Sequence, residues 1–172
     1  MQTKRKDFFI EEKYTMSEGI KVICVNRQAG HEYFFESFLE VGIQLVGSEV
    51  KSVRQGCVNL KDSFCVVKEG ELWLMNAHIK PYEKGSYFNV AERRPRKLLA
   101  HKAEINKMRG KVEQKGYTLI PTEMYFKQGL VKVKVALAKG KELHDKRETE
   151  KEKQQKRNIQ RAVKEYNSKK RG

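Results

Sequence analysis

Apolar residues along this chain gather into short runs between Ile20 and Ala138, and beyond Ala138 they nearly stop. The run at residues 20–25 has the length and branching of a strand, and residues 33–39 and 42–46 read as two more, parted at Gly42. Residues 47–56 predict a short helix. Ser48 stands at its start as an N-cap, Val50 and Val53 lie three apart on one face, and Gly56 supplies the stop. Two hairpins are clearer still. Residues 63–68 and 71–79 flank Glu69-Gly70, with Leu72, Leu74 and Asn76 alternating against Trp73, Met75 and Ala77. Residues 117–126 and 130–138 flank Lys127-Gln128-Gly129. On the returning strand Val131, Val133, Val135 and Leu137 make a core face, and Lys132 and Lys134 with Ala136 and Ala138 make a half-basic one.

Between the hairpins, residues 80–97 form a long connection in which Tyr82, Tyr87 and Phe88 sit among Lys80, Lys84, Arg93, Arg94, Arg96 and Lys97. Loops of that length in a small domain are usually functional or disordered. From Leu98 to about residue 115 the spacing of Leu98, Ile105, Met108 and Val112 predicts a helix. No internal repeat is present. The pattern predicts a mainly β fold: an oligonucleotide-binding-type antiparallel β-barrel of about six strands with two or three flanking helices. Residues 20–141 are the expected barrel domain and residues 1–19 a flexible arm, within which Met16 offers an alternative start.

Residues 142–172 form the third expected segment, a basic tail. From Lys139 to the end there are 13 Lys+Arg against 6 Asp+Glu, a net +7, and Ile159, Ala162, Val163 and Tyr166 make one short apolar stripe. So little apolar surface cannot offset the entropy of ordering, so the tail is expected to be disordered, or a lone helix about 40 Å long, until a partner orders it. The whole chain of 172 residues carries 37 Lys+Arg against 22 Asp+Glu, with a pI near 9.7. That balance favours a polyanion, nucleic acid above a membrane surface, because no apolar run approaches the length of a membrane span. Cys24, Cys57 and Cys65 are odd in number and widely spaced, which argues against a disulfide scaffold or a zinc site and for a reducing cytoplasm. Cys57 and Cys65 read as small core residues.

No catalytic constellation emerges. The glycines sit singly at turns, and the four histidines lack metal-ligand spacings. Glu32, Glu36 and Glu40 recur every four residues in strand-like sequence and read as solvated edges. No catalysis, metal or cofactor is expected. The interleaving of cations and flat rings suits RNA instead, since Lys and Arg meet phosphates while rings stack on unpaired bases.

Several blocks in order carry a resemblance: Val25-Asn26-Arg27 with His31-Glu32-Tyr33-Phe34; residues 47–54, GSEVKSVR; residues 58–64, VNLKDSF; residues 76–82, NAHIKPY; Arg96-Lys97-Leu98-Leu99; residues 115–121, KGYTLIP; Ala138-Lys139-Gly140-Lys141; and His144-Asp145-Lys146-Arg147. From Ile20 onward the chain resembles the small protein B family, the bacterial SsrA-binding proteins that accompany transfer-messenger RNA. Gly30 and residues 90–92 depart from that family's usual pattern. The resemblance implies a monomeric cytoplasmic accessory that grips the tRNA-like part of transfer-messenger RNA, favours its alanylation and carries it to stalled ribosomes. Partners so implied are the RNA, the small-subunit decoding centre, and, through the RNA, elongation factor Tu and alanyl-tRNA synthetase.

On this reading Asn26, Arg27, Lys51, Arg54, Lys97, Lys139 and Lys141 hold the RNA, with His31, Tyr33, Arg96 and Leu98 beside them. Glu49 has two readings: it accepts from a base amino group or orients Lys51 or Arg54, or it is a helix-start carboxylate next to the Ser48 cap. Asn59 and His78 either reach RNA or serve as a turn residue and a satisfied barrel histidine. In the tail, His144, Asp145, Lys146, Arg147, Lys156, Arg157, Ile159, Arg161 and Lys164 are expected to enter the decoding centre and the empty message channel, with His144 stacking on a ribosomal base.

Overall fold

Six antiparallel strands close on themselves because their core faces supply a continuous set of branched residues. The computed structural model of the chain describes residues 19–85, 89–114 and 116–169. The elements are β1 (Ile20–Val25), α1 (Ala29–Glu32), β2 (Tyr33–Ile43), α2 (Gly47–Arg54), β3 (Val58–Asn59), β4 (Phe64–Lys68), β5 (Glu71–Met75), β6 (His78–Ile79) and β7 (Arg96–Leu99). They continue with α3 (Lys102–Val112), β8 (Tyr117–Lys127), β9 (Leu130–Gly140) and α4 (Leu143–Lys169). The strand order is β1-β8-β4-β5-β7-β2-β9, and β9 pairs back onto β8, so β8, β4, β5, β7, β2 and β9 form a ring. Closure leaves no edge among those six strands. β1 adds to the outer end of β8, from Ile20 opposite Lys127 to Val25 opposite Glu123, and β3 pairs with β6 as a separate small ladder.

Val41, Leu60, Leu72, Leu74, Leu98, Leu119, Met124, Val133, Val135 and Leu137 fill the ring, and Val53 of α2 with Ile105 and Met108 of α3 pack onto them. Each such side chain contributes roughly 1.5–3 kcal/mol by leaving water. A second, smaller cluster lies outside the ring, where Ala29 of α1 covers Ile120 and Ala138, with Tyr33 and Phe35 alongside. Ala136 and Ala138 are therefore buried, and only Lys132 and Lys134 make the outer face of β9 polar.

The mainly β barrel, its six-stranded ring and the Glu69-Gly70 turn agree with the sequence pattern, while the second turn is one residue shorter than expected because Lys127 ends β8 opposite Leu130. At the turns Glu69-Gly70 and Gln128-Gly129 both residues have positive φ, the geometry that two-residue hairpins require. Other local readings give way to tertiary pairing. Gly42 does not divide two strands. It lies inside β2 opposite Leu99, whose Cβ sits 3.3 Å from where a Gly42 Cβ would stand, so the residue permits close approach of β7. Residues 96–99 are strand, neither the end of the connection at 96–97 nor the start of a helix at 98, because Lys97 and Leu98 pair with Trp73 and Leu72 while Leu98 also pairs with Ile43. α3 begins only at Lys102. The expected strand 71–79 stops at Met75, since Asn76 turns left-handed at φ 59°. Cys24, Cys57 and Cys65 are free; Cys65 is buried in the core and Cys57 only half-buried at the end of α2. The arm before Gly19, Tyr87 and Phe88, and the side chains of His144 and Tyr166 lie outside the described residues.

Candidate nucleic-acid interface

α2 projects Lys51 and Arg54 into solvent and turns Glu49, Ser52 and Val53 inward. Glu49 is 4% exposed, and its carboxylate accepts four hydrogen bonds: from the Val46 backbone N–H at 3.1 Å, Arg94 Nε at 3.0 Å and Nη2 at 2.6 Å, and Arg96 Nε at 2.8 Å. Burial pushes the carboxyl upward, but the two guanidinium groups and the Val46 N–H outweigh it and hold Glu49 below the usual carboxylate range. Arg96 is 0% exposed and donates in addition to the carbonyls of Ala77 at 2.7 Å and Glu92 at 2.9 Å. Two expectations are thereby corrected. Arg96 has no surface to offer RNA, and Glu49 neither faces a base nor orients Lys51 or Arg54. The helix-start reading survives in altered form, since Glu49 itself binds the Val46 N–H and Ser48 is not the side-chain cap. What the triad does is tie α2 to residues 92–96, and with them the loop that carries Tyr82, whose ring lies 5.2 Å from the Lys51 ammonium.

The same corner continues through the β3–β6 ladder. Asn59 lies opposite His78; Asn59 Oδ1 accepts the Lys61 N–H at 2.8 Å, and His78 Nε2 meets Glu92 Oε2 at 2.6 Å. Both residues thus have structural partners, in keeping with their turn and satisfied-histidine readings, while Asn59 keeps an exposed surface. Asn26 joins this region to the barrel. Its Nδ2 donates to the carbonyls of Leu60 and Pro121, each at 3.1 Å, and its Oδ1 accepts the Ala29 N–H at 3.2 Å. With donors and acceptor engaged, Asn26 works as a clamp at the start of α1, which leaves exposed Arg27 beside it as the available cation. Leu98, expected beside the RNA, is a core residue at 1% exposure because it pairs on both sides within the ring. Lys97 is half-buried on the far side of β7 and forms an ion pair with Glu71.

The half-basic face of β9 continues onto β2 as a second surface, where two aromatic rings join it. Along β2, Phe34, Glu36, Phe38 and Glu40 face outward, and both Phe34 and Phe38 are 50% exposed. The Lys134 ammonium lies 4.8 Å from the Phe38 ring centre, and Lys141 lies 4.7 Å from that of Phe34. Glu40 is no free edge carboxylate: it accepts from Tyr125 Oη at 2.5 Å and pairs with Lys127 at 3.2 Å. The phenol and Lys127 hold its pKa down, and burial with that same carboxylate holds Tyr125's up. Leu99 of β7 stands exposed nearby, opposite Gly42, which also faces Lys132. The alternation of residues 33–43 carried the signal, because it sets two phenylalanines on the face that a solvated strand reserves for polar groups.

The tail is helical from Leu143 to Lys169. Asp145 Oδ2 accepts the Glu142 N–H at 3.2 Å and opens the helix, Lys146 is half-buried, and Arg147 is exposed. Residues 154–165 are all exposed, among them Lys156, Arg157, Arg161 and Lys164, and Ile159 at 63% and Val163 at 52% form an apolar stripe without cover. His31 is exposed and its Nε2 lies 3.3 Å from Lys153 Nζ. Tyr33 is half-buried in the small cluster under α1, and Lys139 is exposed opposite Phe34. Among the described residues no group of His, Cys, Asp and Glu could hold a metal ion, and no helix is long and apolar enough to cross a membrane.

Residues 23–165 match the family described as SmpB protein. The chain belongs to that family. Among its relatives, the SsrA-binding protein of Trichormus variabilis is 57% identical over 151 residues, covering 87% of this chain and 97% of the relative. That of Caldanaerobacter subterraneus subsp. tengcongensis is 59% identical over 148 residues, covering 86% and 94%. A chain of the solved structure described as "tmRNA-SmpB: a journey to the center of the bacterial ribosome" is 50% identical, with a TM-score of 0.61 over 73% of this chain and 92% of its own. The family match runs through the barrel and most of α4, so both the basic surfaces and the exposed helix fall within it.

Proposed function

We propose that this chain is an SsrA-binding protein that acts in trans-translation on the bacterial ribosome. The observation that carries this is the match over nearly the full length of relatives bearing that name, with more than half of the aligned residues identical. The barrel grips the tRNA-like part of transfer-messenger RNA, supports its alanylation and escorts it to ribosomes stalled on broken messages. Elongation factor Tu and alanyl-tRNA synthetase meet the protein through that RNA. The protein is an RNA-binding accessory, works as a monomer, and resides in the cytoplasm.

Arg27, Lys51, Arg54 and Lys139 are the cations of this group that stand exposed, and they suit phosphate contact. Phe34 and Phe38 suit stacking on bases that a folded tRNA-like elbow leaves unpaired. The exposed second half of α4 suits a different task. Its cations and its Ile159–Val163 stripe have no partner surface on the barrel, and they suit a polyanionic slot such as a message channel left empty by truncation. Intact message would exclude the helix sterically, which makes the ribosome's vacancy the signal.

Truncation after Lys141 tests this directly. Affinity for the tRNA-like RNA is expected to stay within about twofold, because Arg27, Lys51, Arg54 and Lys139 stay on the barrel and the lost ties are those of Thr149 to Lys141 and of Lys153 to His31, whereas tagging of stalled chains is lost. Equal loss of both activities overturns the division of labour. A competition between folded tRNA-like RNA and an unstructured oligonucleotide supplies the second arm: preference for the unstructured strand would make the protein a general single-strand binder.

A further inference from the structure

The Lys141 ammonium, expected to meet RNA, is engaged within the protein. It donates to the Gly30 carbonyl at 3.1 Å and to Thr149 Oγ1 at 3.4 Å, and it lies over the Phe34 ring. Its backbone N–H donates to the Glu32 carbonyl at 2.8 Å. These partners come from three places that must share one geometry: α1, the outer face of β2, and the second turn of α4. The Thr149 hydroxyl gives its own proton to the Asp145 carbonyl at 2.8 Å, which leaves its lone pairs for Lys141. One turn further on, Lys153 meets His31, so α4 rests on α1 at two successive points along its axis.

On either side Gly140 pairs only with Tyr33 of β2, and Glu142 bonds only within the first turn of α4, so neither ties the helix to the barrel; Lys141 is the junction residue that reaches α1, β2 and α4 together. We propose that Lys141 is a positioning residue that fixes the direction in which the tail helix leaves the barrel, and that it is not a phosphate contact. Its three partners, a carbonyl, a hydroxyl and a ring, satisfy a half-buried ammonium without any anion. The geometry matters because α4 is a lever roughly 40 Å long, and an error of about 10° at its root moves the far end by about 7 Å, more than a turn of helix. α1 is itself anchored through the Asn26 clamp and the Ala29 cluster, so the joint refers the tail to the rigid barrel. The functional importance of that direction rests on the proposed role of the tail, whereas the joint itself does not.

The test uses the full chain with Cys24, Cys57 and Cys65 replaced by alanine and spin labels at Lys68→Cys and Gln160→Cys, after confirming that this background binds the tRNA-like RNA as the parent does. Pulsed electron paramagnetic resonance should give a narrow distance distribution for the parent and for Lys141→Arg. For Lys141→Met it should give one at least twice as wide, with Thr149→Ala between the two. RNA affinity of Lys141→Met is expected to stay within twofold with an unchanged salt slope, while tagging falls about tenfold and Lys141→Arg restores it. An unchanged width in Lys141→Met overturns the proposal. So does a weaker RNA affinity whose salt slope is shallower by about one, the signature of a lost phosphate contact. Widening without loss of tagging leaves the joint standing and defeats the reading of the tail as a ribosomal probe.

Discussion

The α2 corner and the second half of α4 carry the same kinds of side chain in opposite settings. At the corner, Arg94 and Arg96 close on one buried carboxylate, His78 closes on Glu92, and the cations left outside, Lys51 and Arg54, project from a backbone that those ties hold still. Along α4 from residue 154, Lys156, Arg157, Arg161 and Lys164 face water beside Ile159 and Val163, which stay exposed among the described residues. Desolvation separates the two regions. A buried charge is tolerated only with partners in good geometry, so it fixes neighbouring elements relative to one another. An exposed charge costs nothing and fixes nothing, which leaves it available to whatever binds next. Charge counting alone ranks the tail and the corner together, and their roles differ because of what lies underneath.

Breaking the corner should have the largest effect. Glu49→Ala strands Arg96 in the core and is expected to destabilise the barrel by about 3–5 kcal/mol in urea unfolding. Glu49→Leu with Arg96→Met removes the charges together and should recover most of that loss. Additive losses in the double variant would show that the triad is not a coupled unit. Lys51→Ala with Arg54→Ala comes next. It should weaken binding of the tRNA-like RNA, lower the salt slope by about two and leave stability within about 0.5 kcal/mol; an unchanged slope would remove both residues from the set of phosphate contacts.

Acid sharpens the same comparison. Glu49 has a folded-state pKa below its usual value of 4.5, so the unfolded chain binds the proton first as pH falls. The stability that Glu49 contributes is complete above about pH 4.5 and is lost as pH drops through its lower folded value. Unfolding midpoints should therefore fall below pH 4.5 in the parent and fall less in Glu49→Leu/Arg96→Met. The smallest effect belongs to the tail: Arg157→Ala with Arg161→Ala should move the unfolding midpoint hardly at all, by less than about 0.5 kcal/mol.

Much of this was readable from residues alone, for identifiable reasons. The hairpins announce themselves because Glu69-Gly70 and Gln128-Gly129 supply consecutive positive-φ positions between alternating runs. The tail's poverty in apolar residues likewise predicted a segment without a core. What misled was pairing at a distance. Arg96 and Lys97 look like the end of a loop and Leu98 like the entrance to a helix until Leu72, Trp73, Leu74 and Ile43 claim the run as strand, and only then does Arg96 vanish into the interior. Arg94 reads as one cation among many, since no local spacing marks a residue whose partner is 45 positions away. The sequence sets Lys141 and Asn26 among the residues that hold RNA, yet their partners on α1, α4 and the loop at Leu60 meet only once the barrel has closed.

Amide hydrogen exchange of the full chain, free and then bound to ribosomes with and without message in the channel, probes the contrast between corner and tail most directly. In the free protein, amides of β8, β9 and α2 should be strongly protected while residues 154–165 exchange within seconds, since exposed helix without tertiary packing opens readily. Protection over residues 154–165 should then appear on ribosomes whose channel is empty and stay absent on those with intact message. Barrel-like protection of residues 154–165 in the free protein, or the same protection on both kinds of ribosome, would contradict the account.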